Sequence, residues 1–428
     1  MSRKNKAVLV SPPVSRAPSP QPSKEMKLNL PSPTLSSVSS TASLLDLSAL
    51  NESKSPLRGF LNLFWMSILF YGFLTVIRNY QEKGTLLSWK LMEFGFHGVH
   101  PLRDAFLAHI MFPALITCAL FIITYFRLHT EMAIIVGFDV AMFLLSFGIS
   151  LKGEFRFLQS LMSSMHAMTL IMKSHSYLVY YLENPTYKTT PNYTIWFLIT
   201  PTINYHPDLP YVSVPKNEFA YRIGERCLGI FVGWLITHMT IEHYVYPLAL
   251  SSKQPLSILV ELFFPSLIVC LVLFLTFFEF FLGLLGVLTG YGERNFYADW
   301  WNSTTFEQFA RTWNLPVHNF IRHHVYEPFV LKLGLDRKRA MLYVFLLSSI
   351  LHEAIVQVAF GKLVMPYLFL FQMLQLPFTW FIKRIAKLPI VGSPVILNMI
   401  FWFKMIVGPP VIFLFYARYH NIFSKSIN

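Results

Sequence analysis

Residues 256–289 read LSILVELFFPSLIVCLVLFLTFFEFFLGLLGVLT, the longest predominantly apolar stretch of the chain. About 20 apolar residues in helical conformation are enough to span the hydrocarbon core of a bilayer. This stretch exceeds that length, so a helix formed from it must tilt or extend out of the membrane. It predicts a transmembrane helix.

Eight further stretches are apolar enough to predict membrane spans. They lie at 58–79, 104–126, 133–151, 155–182, 222–250, 340–360, 363–382 and 395–417. Hydrophobic residues make up 54% of the 428 and charged residues only 13%, and the mean hydropathy is +0.48. This composition lies far from that of soluble domains. We therefore predict an all-α, multi-pass transmembrane helical bundle of about nine spans.

The first 56 residues differ sharply from the rest. They are rich in Ser and Pro and have no hydrophobic period, which predicts a disordered tail at 1–56 and a transmembrane domain at 57–428. The net charge of +13 is interpreted by its location, because positively charged loops next to spans stay in the cytosol. The tail and the basic segment 290–339 are therefore predicted to be cytosolic.

Residues 296–302 read FYADWWN and follow directly on the longest apolar stretch. After them, Thr304 to Glu307 form a plausible capping box, and aromatic residues continue at helical spacing. This pattern predicts a short amphipathic helix at the membrane interface. The aromatic cluster itself has two interpretations: part of a functional site, or an interfacial aromatic belt.

A second interfacial helix is predicted to start at Pro316. Polar residues recur along it every four positions and can line a cavity: Asn314, His318, Arg322 and Tyr326. The basic run 337–339 precedes the next span, where it could contact the phosphates of an anionic substrate such as acyl-coenzyme A. The alternatives are that Asn314 is only a helix cap and that the basic run is only a cytosolic anchor.

His352 and Glu353 interrupt an otherwise apolar span. Ionisable groups at bilayer depth usually face a cavity and serve a function. Ser348 and Ser349 lie one turn earlier, which makes a polar patch. No metal site is predicted, because Val356 stands where a second metal-binding histidine would be required.

Histidine as a residue type is suited to general-base chemistry, because the ordinary pKa of an imidazole lies near physiological pH. His352 would accept the proton of an alcohol as its oxygen attacks a thioester, and Asn314 would polarise the carbonyl or steady the oxyanion. No Gly-x-Ser-x-Gly elbow occurs, which favours direct transfer over an acyl-enzyme. The alternative is a structural histidine bonded to a facing helix.

The fourth predicted span carries a second polar stripe. It consists of Gln159, Ser163, His166 and Lys173, with His175 nearby. Such a stripe can line a substrate tunnel, or it can make hydrogen bonds between helices of a bundle.

Residues 296–302 match a family motif, FYxDWWN, in full. On this motif the chain resembles the sterol and diacylglycerol acyltransferase branch of the membrane-bound O-acyltransferase superfamily, across roughly 58–420. Three segments, 172–177, 201–205 and 368–377, resemble the fungal type of sterol O-acyltransferase. The resemblance implies a helical bundle with an internal catalytic chamber, an endoplasmic reticulum location and a homodimer or homotetramer.

The resemblance also implies roles for individual residues. His352 falls on the catalytic histidine and Asn314 on its companion. Contacts to acyl-coenzyme A fall on Gln308, Arg311, His318, Tyr326, Arg337 and Ser348. The motif residues that would shape the acyl-coenzyme A entrance are Phe296, Tyr297, Asp299, Trp300, Trp301 and Asn302. Neither a metal nor a cofactor is implied, because acyl-coenzyme A is a substrate.

The function predicted from these observations is a sterol O-acyltransferase, which would transfer a long-chain acyl group from coenzyme A to the sterol 3-hydroxyl. Its partners would be acyl-coenzyme A, a sterol and membrane lipids, with no nucleic acid. One alternative is a diacylglycerol O-acyltransferase, which uses the same chemistry. Another is a lipid or ion transporter, which would also place ionisable groups within the membrane.

Overall fold

The computed structural model describes residues 58–86, 103, 106–127, 131–152, 157–212, 214–361, 364–388 and 392–419. The tail predicted at 1–56 lies outside these residues. Within the described part the regular secondary structure is helical, apart from one isolated β-bridge.

The described residues contain nine long helices, one for each predicted span. These are α1 (Arg58–Lys83), α2 (Leu107–Tyr125), α3 (Met132–Lys152), α4 (Phe157–Glu183), α6 (Lys216–Thr240, continued by Ile241–Val245 and Tyr246–Leu250), α7 (Pro255–Thr289), α10 (Arg337–Phe360), α11 (Tyr367–Ile385) and α12 (Pro394–Tyr419). The short helices are α5 (Pro191–Ile199), α8 (Phe306–Thr312) and α9 (Leu315–Ile321, continued by Arg322–Tyr326 and Glu327–Leu331).

Among the described residues, five of the long helices are long and apolar enough to cross a membrane by length and composition alone: α2, α3, α7, α10 and α12. The remaining four are less apolar, α4 because it carries a run of buried serines with Gln159 and Lys173. The molecule is thus a multi-pass membrane protein, and the count of nine spans stays a prediction.

Two aromatic-rich cores organise the bundle. The first joins α2, α3, α4 and α5 with the loop after α5 and includes Phe112, Ile116, Leu120, Tyr177, Phe197 and Tyr205. The second joins α7 and α12 to the segment that follows α7 and includes Phe278, Tyr291, Phe296, Tyr297, Trp300 and Phe401. The interfacial segment after α7 is therefore packed into the bundle through its aromatic residues.

Helices α6 and α7 approach each other closely at two glycines of α6. A Cβ atom on Gly229 would lie 2.2 Å from the ring of Phe280, and one on Gly233 would lie 1.9 Å from Oγ1 of Thr276. The two glycines are four residues apart, the spacing that lets helix backbones meet in membranes. Their partners on α7 lie in the π-helical turn Thr276–Phe281.

The chain leaves α7 at Gly290, whose φ is +68°. This left-handed conformation ends the helix and favours glycine. A Cβ atom here would also meet the ring of Tyr211 at 2.4 Å. The β-bridge between Tyr211 and Tyr291 follows at once, so the loop before α6 fixes the direction in which the chain enters 296–302.

Candidate active site

His352 lies two-thirds of the way along α10, and the preceding turn holds its ring. Its Nδ1 atom lies 2.7 Å from the carbonyl oxygen of Ser348, and the Ser348 hydroxyl lies 3.4 Å from the same nitrogen. Because a carbonyl oxygen can only accept, this contact assigns the proton to Nδ1 and leaves the lone pair on Nε2. The side chain is exposed. His352 is thus oriented to accept a proton at Nε2.

The helix face that carries His352 is turned toward the interfacial segment. Phe345, Ser348 and His352 follow helical spacing on one side of α10. The ring centroid of Phe345 lies 6.4 Å from that of Phe306 in α8, and α10 also packs against the Arg322–Tyr326 turn of α9. Helices α8 and α9, which carry four of the six residues predicted to contact acyl-coenzyme A, are therefore neighbours of the His352 helix.

Glu353 is buried on another side of the same helix. Its Oε2 atom accepts from the backbone N–H of Phe369 at 3.0 Å, and the Tyr416 hydroxyl lies 3.1 Å from both carboxylate oxygens. The amide of Gln357 donates to Oε1. Glu353 thus joins α10 to α11 and α12, so the polar patch predicted for His352 and Glu353 divides into two separate environments.

Asn314 is the N-cap of α9, as the structural alternative predicted. Its Oδ1 atom accepts from the backbone N–H of Val317 at 3.2 Å, which satisfies one of the open donors of the first helical turn. This bond uses only the oxygen of the amide. The Nδ2 group can therefore donate to a ligand while the cap is intact.

The backbone of the FYADWWN segment forms hydrogen bonds with the residues on both sides of Asn314. The N–H of Leu315 donates to the carbonyl of Phe296 at 2.9 Å, and the N–H of Ala298 donates to the carbonyl of Thr312 at 2.7 Å. The motif therefore runs alongside the turn between α8 and α9. Its position sets the position of Asn314.

Three of the seven side chains of the motif are buried rather than turned to a ligand. Phe296, Tyr297 and Trp300 are 2–5% exposed and belong to the second aromatic core. Only Asp299 and Asn302 are exposed residues of the motif. The large rings of the motif anchor the interfacial segment to α7 and α12, and a role of the motif at the acyl-coenzyme A entrance stays a prediction.

Tyr297 also reaches an ion pair within the bundle. Its hydroxyl donates to Oε2 of Glu279 at 2.9 Å, and Arg226 Nη1 donates to Glu279 Oε1 at 3.0 Å and to its carbonyl at 2.9 Å. Both charged groups are buried. A buried pair of this kind is tolerated where hydrogen bonds satisfy the remaining atoms. It fastens α6, α7 and the motif together.

Comparison with known proteins is consistent with this arrangement. The sequence profile of the membrane-bound O-acyltransferase family matches residues 119–418. The chain belongs to the membrane-bound O-acyltransferase family.

Curated relatives of this chain include proteins named diacylglycerol O-acyltransferase. The rice protein diacylglycerol O-acyltransferase 1-1 (Oryza sativa subsp. japonica) is 33% identical over 243 residues, 54% of this chain and 43% of the relative. Diacylglycerol O-acyltransferase 1 of Dictyostelium discoideum is 32% identical over 53% of this chain and 36% of the relative. That of Arabidopsis thaliana is 31% identical over 60% and 51%. The chain spans about half the length of the curated relatives it matches.

The residues predicted to contact acyl-coenzyme A lie on three consecutive helices of the chain. Gln308 and Arg311 are exposed on α8, His318 and Tyr326 are half-buried on α9, and Arg337 and Ser348 lie on α10, Arg337 exposed in its first turn. The structure brings Ser348 directly to His352. The other predicted contact residues lie on α10 itself or on α8 and α9, which pack against α10.

The capping box at the start of α8 is displaced by one residue from its predicted place. Thr305, not Thr304, is the N-cap, and its hydroxyl accepts from the N–H of Gln308. The Gln308 side chain accepts in return from the N–H of Thr304 at 3.1 Å. Glu307, the predicted capping partner, instead pairs with Lys383 of α11 at 2.6 Å. The sequence allows a cap at Thr304 or at Thr305. The contact of Glu307 with α11 favours the cap at Thr305.

The polar stripe of α9 does not continue as one line, because the π-helical turn Arg322–Tyr326 changes the spacing. Burial lowers the pKa of His318, and Arg311 and Arg322 lower it further. Burial also lowers the pKa of His324 to about 3, with His175 as the next cause. Both imidazoles are therefore neutral at physiological pH.

The polar stripe of α4 is largely used for packing between helices. Lys173 is buried and donates to the carbonyls of Phe197, Leu198 and Thr200 at 2.8, 2.9 and 2.5 Å. These carbonyls end α5, where a cation is favourable. His166 stacks on His109 of α2, with ring centroids 5.3 Å apart. At Lys173 the structure thus favours interhelical hydrogen bonding over a tunnel.

The sequence did not identify the partner of His175. Its Nδ1 atom lies 2.6 Å from Oδ2 of Asp139 in α3, and its ring packs edge-on against His324, with centroids 5.2 Å apart. Asp139 is a lone acid in an apolar span, the signal that could have indicated it. The pair holds α9 against α3 and α4.

Proposed function

We propose that this protein is an acyl-coenzyme A-dependent O-acyltransferase that esterifies diacylglycerol. The catalytic role of His352 is supported by the orientation of its ring. The proton lies on Nδ1, against the carbonyl of Ser348. An imidazole in this tautomer is a general base at Nε2. The family membership supports the reaction class, and the names of the relatives support the acceptor.

The proposed reaction proceeds in one transfer. Nε2 of His352 accepts the proton of the acceptor hydroxyl as its oxygen attacks the thioester carbonyl carbon. The Asn314 Nδ2 group donates to the oxygen on which negative charge develops. When the carbon–sulfur bond breaks, the thiolate of coenzyme A takes the proton from the imidazolium. The products are the ester and free coenzyme A, and His352 is regenerated.

The sterol acceptor predicted from the sequence is now the second candidate. Two of the three segments on which it rested contact each other: the Ser176 hydroxyl accepts from the N–H of Tyr205 at 2.7 Å, and Lys173 binds the end of α5. These segments resemble sterol O-acyltransferases in residues that pack a loop. Their resemblance supports a shared loop structure more than a shared acceptor.

The endoplasmic reticulum location and the homodimer or homotetramer remain predictions from the resemblance. The transporter alternative is no longer favoured, since the family membership supports acyl transfer. Acyl-coenzyme A and membrane lipids are the substrate classes that follow.

The test uses microsomes from cells that lack their own neutral-lipid acyltransferases and express this chain. Labelled oleoyl-coenzyme A is supplied with diacylglycerol or with a sterol, and the lipid products are separated. We expect label in triacylglycerol, and a loss of at least 10²-fold in His352→Ala, because a general base contributes about 10²–10⁴-fold.

His206→Ala is the matched control, since His206 is an exposed imidazole in the loop after α5. It should leave the rate unchanged. Label in steryl ester alone would replace diacylglycerol by the second candidate. Full activity in His352→Ala would overturn the catalytic assignment whatever the acceptor.

A further inference from the structure

Buried ionisable groups along the long helices of this acyltransferase have polar protein partners. Lys173 binds three carbonyls, Glu279 pairs with Arg226, and Asp139 contacts His175. Glu353 accepts from a hydroxyl and from backbone and side-chain amides. These contacts compensate the loss of hydration that burial imposes.

Lys404 of α12 has a different environment. Its ammonium lies over two aromatic rings, 5.2 Å from the centroid of Phe306 and 4.7 Å from that of Phe378. No carboxylate lies within ion-pair distance of it in the described part of the chain. Glu307, the acid adjacent to Phe306, is already paired with Lys383 at 2.6 Å.

Ring faces alone do not compensate a half-buried ammonium. Cation–π contacts contribute less stabilisation than an ammonium loses when it is removed from water. An anion bound to the ammonium would supply the stabilisation that the two rings do not provide. The free side of Lys404 therefore has the electrostatics of an anion site.

The surroundings of Lys404 are those of an amphiphile. Phe378 is 37% exposed, so the ring beneath the cation is open on one side. Two apolar residues on the same face of α11 as Phe378 are also exposed, Leu374 and Phe381. A fatty chain can lie along such a surface while its charged end stays at the cation.

We propose that Lys404, Phe306 and Phe378 bind the anionic headgroup of a lipid, a fatty-acid carboxylate or a lipid phosphate. The ring of Phe306 contacts Phe345, which lies about 10 Å before His352 along α10. The site is thus beside the candidate active site but separate from it. Binding of the anion requires nothing of the acyl-transfer chemistry.

The test is photolabelling of the full chain in lipid nanodiscs with an oleate analogue that carries a diazirine in mid-chain. Peptides of α11 and α12 should be labelled, and free oleate should compete at least tenfold better than oleyl alcohol, which has a similar chain without the charge. Lys404→Met should lower the specific labelling about tenfold, and Lys404→Arg should retain most of it.

Lys387→Met is the matched control, because it removes an exposed cation just after α11 and should leave labelling unchanged. Lysophosphatidate tested beside oleate distinguishes the source: the better competitor identifies phosphate or carboxylate as the preferred headgroup. Equal competition by oleyl alcohol and oleate would overturn the proposal, and this comparison needs only the wild-type protein. Unchanged labelling of Lys404→Met would overturn it as well.

Discussion

At the residue scale, the amide of Asn314 has two ends with separate roles. Its oxygen caps α9, and its nitrogen is proposed to donate to the thioester oxygen. Asn314→Asp keeps the accepting oxygen and removes the donor. We expect kcat to fall about 10²–10³-fold, as for loss of one oxyanion donor, with thermal stability retained because Asp and Asn are equivalent caps.

Asn314→Ala tests the two roles in combination. It removes donor and cap together, so it should lose the same activity and also about 1 kcal/mol of stability. Assays of kcat and of the thermal midpoint in detergent measure both effects. If Asn314→Asp keeps its activity, Asn314 is a helix cap and nothing more.

At the element scale, the contact between α6 and α7 depends on the missing Cβ of Gly233. Gly233→Ala would place a methyl carbon 1.9 Å from Oγ1 of Thr276 unless the helices move apart. Because overpacking of this kind costs about 1–3 kcal/mol, we expect a lower thermal midpoint in detergent. The separation would also disturb the Arg226–Glu279 pair, which joins the same two helices.

Gly224→Ala is the control on the same helix, since nothing lies within 4 Å of a Cβ atom there. Replacing a helical glycine by alanine in open space stabilises by about 0.5–1 kcal/mol. The two substitutions should therefore shift the midpoint in opposite directions. A Gly233→Ala protein as stable as the wild type would mean that α6 and α7 do not pack this closely.

At the scale of the whole molecule, the contacts of α1 and α6 indicate that these helices run in the same direction. Tyr71 of α1 meets Thr240 of α6, and Lys83 at the end of α1 pairs with Glu242 at 2.5 Å. The predicted topology requires this direction for its first and fifth spans. With a cytosolic N-terminus, the end of α1 would be luminal and the end of α9 cytosolic.

Two exposed leucines allow this orientation to be measured: Leu86 after α1 and Leu333 after α9. Each is replaced by Cys in a background without the three native cysteines and treated with a membrane-impermeant maleimide in sealed microsomes. We expect Leu333→Cys to be labelled and Leu86→Cys to be protected until detergent is added. Labelling of both before detergent would contradict the predicted orientation.

The long helices and the candidate residues were predictable because the relevant signals are local. Apolar length and helical hydrogen bonding are set by neighbouring residues, so each predicted span matches a helix to within about six residues at either end. His352 stood out as an ionisable group in an apolar run, and its contact with Ser348 is one helical turn long.

The partner that each polar group takes depends on the packing of the helices. Glu353 meets Tyr416, 63 residues away, Lys173 meets carbonyls 24–27 residues away, and Tyr297 meets Glu279 across the end of α7. A sequence shows that such groups are costly in a membrane. Which of them bond to each other depends on how the helices pack, because partners distant in the chain meet only when the bundle has formed.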